Sequence, residues 1–413
     1  MTEREDRLDV HAAHRQPRPL RVAVIHMEHW GGAGNSLWAR RIAGALRRSG
    51  RFEVEVAAAD TQGTFLYEQA LLVAAIKAQP LPPSEIRERY NNWAAALGRE
   101  LESLCDVEGG LSPSAGRVIA ELPFAAGIDK FDFVICTKGL LTQIASRLTR
   151  LDKARERAAH VVNFITNPGL LDLSIHRPSE CALHVISDPS WLSALTRRGY
   201  PAQSVRCCAL PENTAAKGSP PGDVPPLLSG FDFSRPIVLL IANQEGGRWL
   251  TLARHVLERL ARAQLIFICI RDEELLRDAT GLLGQYPTRT ARVTPLLLPP
   301  ERDAVLAALN ACSAPVVVTK PGPSTVATIG SFGVPMVMWD AGLPMEDWVL
   351  RSARASGIHC VGASEEEVFR CVETTARKGN PRKTWRPVFD ADAQALTQMG
   401  IDEILFQTLE QGL

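Results

Sequence analysis

Three hydroxyls, an ammonium and a glycine stand together in Thr319-Lys320-Pro321-Gly322-Pro323-Ser324-Thr325. The apolar β-branched run Val316-Val317-Val318 precedes them, and Val326-Ala327 follows. The pattern predicts a buried strand, a tight loop and the N-terminus of a helix. A helix N-terminus exposes unpaired backbone N–H groups and the positive end of the peptide dipole. Ser324 and Thr325 add hydroxyl donors there. This arrangement suits phosphate binding, with Lys320 as a neutralising charge.

Two further glycine loops follow strand-like runs. Leu20 to Ile25, apolar apart from Arg21, leads through His26, Glu28 and His29 to Gly31, Gly32 and Gly34. A helix then starts near Asn35 or Ser36, either of which suits an N-cap, with Trp38, Ile42, Ala45 and Leu46 on one side. With the strand Glu53 to Ala58 this is the opening of a Rossmann-like domain. The glycines do not follow G-x-G-x-x-G spacing, so an NAD site is a poor reading. Downstream, the strand Arg235 to Ala242 ends in Asn243-Gln-Glu-Gly246-Gly247-Arg248. Arg248 suits either a phosphate or a solvated surface.

Other strands read at Phe131–Cys136, Val161–Ile165, Leu183–Ser187, Leu265–Ile270, Val293–Leu298, Pro335–Trp339 and Gly357–Val361. Strands alternating with helical stretches predict an α/β fold with parallel sheets. Such sheets bind ligands at their strand C-termini, which draws attention to Thr166 and Asn167, to Asp172 and His176 just beyond, and to Asp188. From Ser84, the stripe Ile86, Tyr90, Trp93, Leu97, Leu101 and Leu104 reads as a helix. It either packs on its own domain or forms a lid or dimer surface. Gly109 to Gly116 reads as a loop. Lys217 to Pro226 is the clearest linker. Asp390 to Leu409 is helical in pattern, with a break at Gly400.

At 413 residues the chain is long enough for two domains, and its 46% hydrophobic share leaves room for sizeable cores. Lys+Arg and Asp+Glu are both 46, which argues against a nucleic-acid binder with a global basic field. No uninterrupted apolar run of transmembrane length is present, which leaves peripheral membrane contact open. Met1 to Pro19 lacks an apolar signal-peptide core and reads as a disordered, cytoplasmic tail. The nine cysteines contain no Cys-x-x-Cys pair and read as buried reduced thiols. No metal-binding cluster is visible. The Ala- and Arg-rich composition fits a bacterial biosynthetic enzyme.

The block 319–327, Thr-Lys-Pro-Gly-Pro-Ser-Thr-Val-Ala, followed by Gly333-Val-Pro-Met-Val337, resembles the donor-site signature of GT-B glycosyltransferases. The nearest branch joins the peptidoglycan lipid-intermediate N-acetylglucosaminyltransferase with the diacylglycerol glycosyltransferases. A similar order of segments runs through most of residues 20–385, but only this block is sharp. The resemblance implies two Rossmann-like α/β domains facing a cleft. After a tail at 1–19, residues 20–215 would form the acceptor domain, 216–234 the linker and 235–385 the donor domain. Residues 386–413 would form a C-terminal helix, in the resembling folds one that crosses back to the first domain.

A UDP-sugar would be the co-substrate, with no further cofactor and no metal. Asn243, Gly246, Gly247, Arg248, Lys320, Gly322, Pro323, Ser324 and Thr325 would hold its phosphates. Backbone near Thr294 and Leu296 would read the uracil edge, Thr328 would lie at the ribose, and Glu346 or Asp347 would bind the sugar hydroxyls. Gly31, Gly32, Gly34, Asn35, Thr166 and Asn167 would face the acceptor. A base is required, and the candidates are Glu28, His29, His26, Asp172 and His176. Three positions depart from the branch: Asn35 stands in place of its histidine, Thr328 of its ribose-binding glutamate and Val349 of its asparagine. The expected function is inverting, metal-independent glycosyl transfer to a soluble small molecule, such as a natural-product intermediate or nucleobase. A lipid acceptor is the alternative. A non-catalytic nucleotide-binding or partner subunit and a GT-B-shaped epimerase or phosphorylase are further ones.

Overall fold

The computed structural model describes residues 18–29, 34–79, 81–101, 113–151, 159–167, 183–209, 224–242, 247–270, 272–297, 301–357, 359–381, 383–388 and 396–410. The first part of the chain contains β1 (Leu20–His26), α1 (Gly34–Arg48), β2 (Phe52–Ala58), α2 (Phe65–Ala78), α3 (Pro83–Leu101), α4 (Pro113–Glu121), β3 (Phe133–Cys136), α5 (Gly139–Leu151), β4 (His160–Ile165), β5 (Leu183–Ile186), α6 (Leu192–Arg197) and β6 (Val205–Cys208). The second part contains β7 (Ile237–Ala242), α7 (Gly247–Arg259), β8 (Gln264–Cys269), α8 (Glu273–Gly284), β9 (Ala291–Pro295), α9 (Glu301–Asn310), β10 (Pro315–Thr319), α10 (Pro323–Ser331), β11 (Met336–Trp339), α11 (Asp347–Ser356), β12 (Cys360–Gly362), α12 (Glu365–Lys378), β13 (Gln398–Met399) and α13 (Ile401–Glu410).

Two parallel sheets result. The first runs β13-β6-β5-β4-β3-β1-β2 and the second β12-β11-β10-β7-β8-β9. Strands such as β3, β8 and β10 are buried along their whole length, which is why they read as continuous apolar runs rather than alternating ones. In each sheet the first strand of the unit has its later neighbours on both sides. β1 lies between β2 and β3, and β7 between β8 and β10. The chain reverses its direction of travel across the sheet at these two places, and the loops leaving the strand ends splay apart there to open a crevice.

Hydrophobic clusters cover both faces of each sheet, and more than one of them joins the two halves. Ile186, Trp191 and Leu195 of the first half pack with Leu239, Val317 and Trp348 of the second. α3 also spans the halves. Its stripe Ile86, Tyr90 and Leu97 is buried in the first domain's core together with Leu343 and Met345 from the segment before α11. Among the described residues no helix is long and apolar enough to cross a membrane.

Three local readings change. Gly116 lies inside α4, because Pro113 is tolerated in a first helical turn and helix-forming residues follow it; Gly109 to Ser112 lie outside the described residues. Gln398 and Met399 form a strand, not a helix, because the edge of β6 offers Cys207 and Cys208 as parallel partners. α13 then buries Ile401, Ile404 and Leu405 against Ala39, Ile42 and Leu46 of α1. Cys360 and Cys371 are joined in a disulfide between β12 and α12, where reduced thiols were expected, because folding brings their Cα atoms to 5.7 Å. Cys207, Cys208, Cys269 and Cys312 are free and buried.

Candidate active site

The block around Lys320 folds as its residue types require. β10 is buried, Gly322 occupies the N-cap of α10 and Pro323 the first turn. Pro has no N–H to leave unpaired at that position. No side chain caps α10, so its first backbone N–H groups remain available to an anion. Opposite it stands the start of α1. Trp38 Nε1 donates to Ser324 Oγ at 3.1 Å, and a methyl group on Gly34 would lie 4.0 Å from the same oxygen. Two helix N-termini, one from each domain, therefore meet at one place, and both dipoles favour negative charge there.

They meet on a cavity of about 230 Å³. Gly34, Asn35, Thr166 and Asn167 line it from the first domain. From the second come Leu296, Lys320, Gly322, Pro323, Ser324, Thr325, Thr328 and Glu346. The wall is otherwise largely apolar, with Leu239, Ile241, Ile268 and Leu306 beneath the α10 side. Polar contacts hold the rim in place. Thr166 Oγ1 donates to Asn35 Oδ1 at 3.0 Å, and Trp348 Nε1 donates to Asn167 Oδ1 at 3.1 Å across the domains. Thr328 Oγ1 donates back to the Ser324 carbonyl at 2.9 Å.

Several expected residues do not line this cavity. Arg248 donates to Glu365 at 2.6 Å and to the Ala363 carbonyl at 3.1 Å, and its guanidinium lies over the Trp339 ring. Its charge is thus already matched by a carboxylate. Asp347 accepts from Arg87 Nη2 of α3 at 2.7 Å in a bidentate pair across the domains, leaving Glu346 as the acidic residue on the cavity wall. Val349 is fully buried in the core. Thr294 and Gly247 stay off the wall, and Gly31, Gly32, Asp172, His176, Asn243 and Gly246 lie outside the described residues.

The three base candidates at and just after the end of β1 are also off the wall. His26 is buried, which lowers its pKa and favours the neutral ring. The His29 ring makes an edge contact with Tyr67. The amides of Glu28 and His29 donate to the two oxygens of Asp60, at 2.6 and 2.7 Å. Asp60 is fully buried and holds the loop that leads to α1.

Sequence reasoning passed over Arg40, Lys77 and Lys138, which all line the cavity from the first domain. Lys138 is 6% exposed, and burial pulls its pKa down to about 8, with the Asp60 charge acting in the other direction. Its position was the available signal: it follows directly on β3, at the same sheet edge as the glycine loop after β1. Arg302 also lines the wall but pairs with Asp303 at 2.6 Å. Among the described residues no three metal-ligating side chains gather in one place.

No family model matches the chain, and comparison with curated proteins finds no match either. Solved structures do match along nearly its whole length. UGT89C1 of Arabidopsis thaliana, complexed with UDP, is 13% identical over 94% of this chain and 99% of its own, with a TM-score of 0.52. MnaA of S. aureus, also with UDP, is 12% identical over 91% and 93%, with a TM-score of 0.53. The spinosyn rhamnosyltransferase SpnG, complexed with thymidine diphosphate, is 14% identical over 86% and 91%, with a TM-score of 0.52. The fold is GT-B. In this GT-B chain the cavity lies between the two sheets, at the strand ends where each sheet reverses its order.

Proposed function

We propose that this protein is a glycosyltransferase that moves a sugar from a nucleotide-diphosphate sugar, UDP-linked, to a small-molecule acceptor held by the first domain. One observation carries the reading: the uncapped start of α10, with Lys320, Ser324 and Thr325, faces the start of α1 across a single cavity between the sheets. Transfer requires that the leaving diphosphate be neutralised as charge develops on it. Backbone N–H groups, two hydroxyls and an ammonium, preorganised at a helix N-terminus, supply that. Glu346 is placed to accept hydrogen bonds from sugar hydroxyls, since an ionised carboxylate has several acceptor positions. Direct displacement by an acceptor hydroxyl would invert the anomeric centre. The UDP and thymidine diphosphate bound by the neighbours named above support a nucleoside-diphosphate donor.

The test is calorimetric titration with UDP, dTDP, GDP and NAD, followed by Ser324→Ala with Thr325→Ala. The wild type binds UDP selectively. The double variant weakens it by about tenfold to a hundredfold, the worth of one or two charge-assisted hydrogen bonds. Unchanged UDP affinity in a folded double variant would remove the phosphate assignment.

A further inference from the structure

The cavity wall carries more positive charge than one diphosphate requires. Lys320 and the start of α10 stand on the second-domain side, while Arg40 of α1, Lys77 near the end of α2 and Lys138 after β3 stand on the first-domain side. Against these cations the described wall sets one carboxylate, Glu346. Lys138 is 6% exposed. An ammonium held out of water is unfavourable unless negative charge comes close to it. The Asp60 charge acts on Lys138 from outside the wall, where the two Asp60 oxygens also accept the amides of Glu28 and His29. Lys138 therefore lines the cavity as a buried cation for which the cost of burial outweighs the attraction of Asp60. Beside these cations the wall is apolar, formed by Leu37, Leu343 and Met345.

We infer that the acceptor carries an anionic group, a phosphate monoester or a carboxylate, which sits between Arg40 and Lys138 while its apolar body lies on Leu37, Leu343 and Met345. The inference rests on the donor reading above, which places the nucleotide's diphosphate at α10 and leaves the first-domain cations for a second anion. The group takes no part in the bond change. It orients the molecule so that a hydroxyl elsewhere on it approaches the sugar.

Protein saturated with UDP is titrated with phenyl phosphate, benzoate and benzyl alcohol, three probes of similar body and different charge. At least one of the two anions binds tenfold or more tightly than benzyl alcohol, and which one does so distinguishes a phosphate from a carboxylate. Lys138→Met and Arg40→Gln each weaken that anion by at least fivefold and change UDP affinity by less than threefold. Arg40 is exposed, so its variant folds even where the buried one does not. Equal binding of anions and alcohol to the UDP-loaded protein overturns the inference and leaves the donor site standing. A parallel loss of UDP affinity in both variants also overturns it, because the cations would then belong to the donor's diphosphate. Failure of the wild type to bind UDP removes the donor reading and this inference with it.

Discussion

Gly342 lies in the segment between β11 and α11, with φ at +77°, and its amide donates to Asp340 Oδ1 at 3.0 Å. A Cβ there would stand 2.0 Å from the carbonyl oxygen of Pro83, at the start of α3 in the other domain. Real Cβ contacts are essentially never shorter than 3.0 Å, so the two backbones must separate by at least the difference, 3.0 less 2.0, or 1.0 Å. Gly342→Ala thus carries two costs. The left-handed backbone costs a non-glycine residue about 1–2 kcal/mol. Forced separation of packed backbone adds about 1–3 kcal/mol, as for other overpacked sites. Gly357→Ala is the control: φ is +62° and nothing lies within 4 Å of the added methyl, so only the first cost applies. At about 2 °C per kcal/mol for a domain of this size, Gly342→Ala melts roughly 2–6 °C below Gly357→Ala. The same displacement reaches the cavity, because Leu343, Met345 and Glu346 line it from that segment. A misplacement of about 1 Å can cost on the order of a hundredfold in turnover. Turnover of a UDP-sugar should therefore fall further than UDP affinity. Thermal melts of both variants, with UDP titrations and turnover assays, check each step. Equal melting temperatures would refute the close approach of α3 to this segment.

Lys138 links pH to stability. Its ordinary pKa of 10.5 falls to about 8 on folding, so the folded protein releases this proton first. Below about pH 8 the folded state bears the full cost of the buried charge; from pH 8 to 10.5 the cost fades, and stability relative to Lys138→Met rises by on the order of 3 kcal/mol. Denaturation of both proteins across that range checks the sign, and a flat difference would contradict the burial. Glu28→Gln and His29→Ala, whose side chains are off the cavity wall, keep turnover within about threefold, whereas a general base contributes roughly a hundredfold or more. A loss of that larger size in either variant would return the base to the loop after β1. Peptide mapping after alkylation without reductant should recover Cys360 linked to Cys371, and both cysteines alkylated would exclude the bond.

The two-domain α/β class was legible because it depends on near neighbours. A buried parallel strand needs a short apolar run, and β10 supplies one in Val316 to Val318. A helix start after a proline-glycine turn is equally local, so the strand–loop–helix at 315–331 could be read with no knowledge of its surroundings. The partners of charged side chains could not be read that way. Arg248 was visible as a cation beside a glycine loop, but the carboxylate that occupies it, Glu365, is 117 residues away. Asp347 and Glu346 are adjacent and chemically similar, and only the approach of α3 commits one to Arg87, 260 residues away, and leaves the other on the cavity wall. Lys138 is an ordinary lysine in the sequence; the pairing of β3 beside β1 makes it part of a site, and the packing around it lowers its pKa. The sequence by itself determined which segments become strands and helices and where an anion could be held at the end of one. Tertiary structure alone decided which charges line the cavity and how burial shifts them, because solvation and pairing depend on what the rest of the chain brings within a few ångströms.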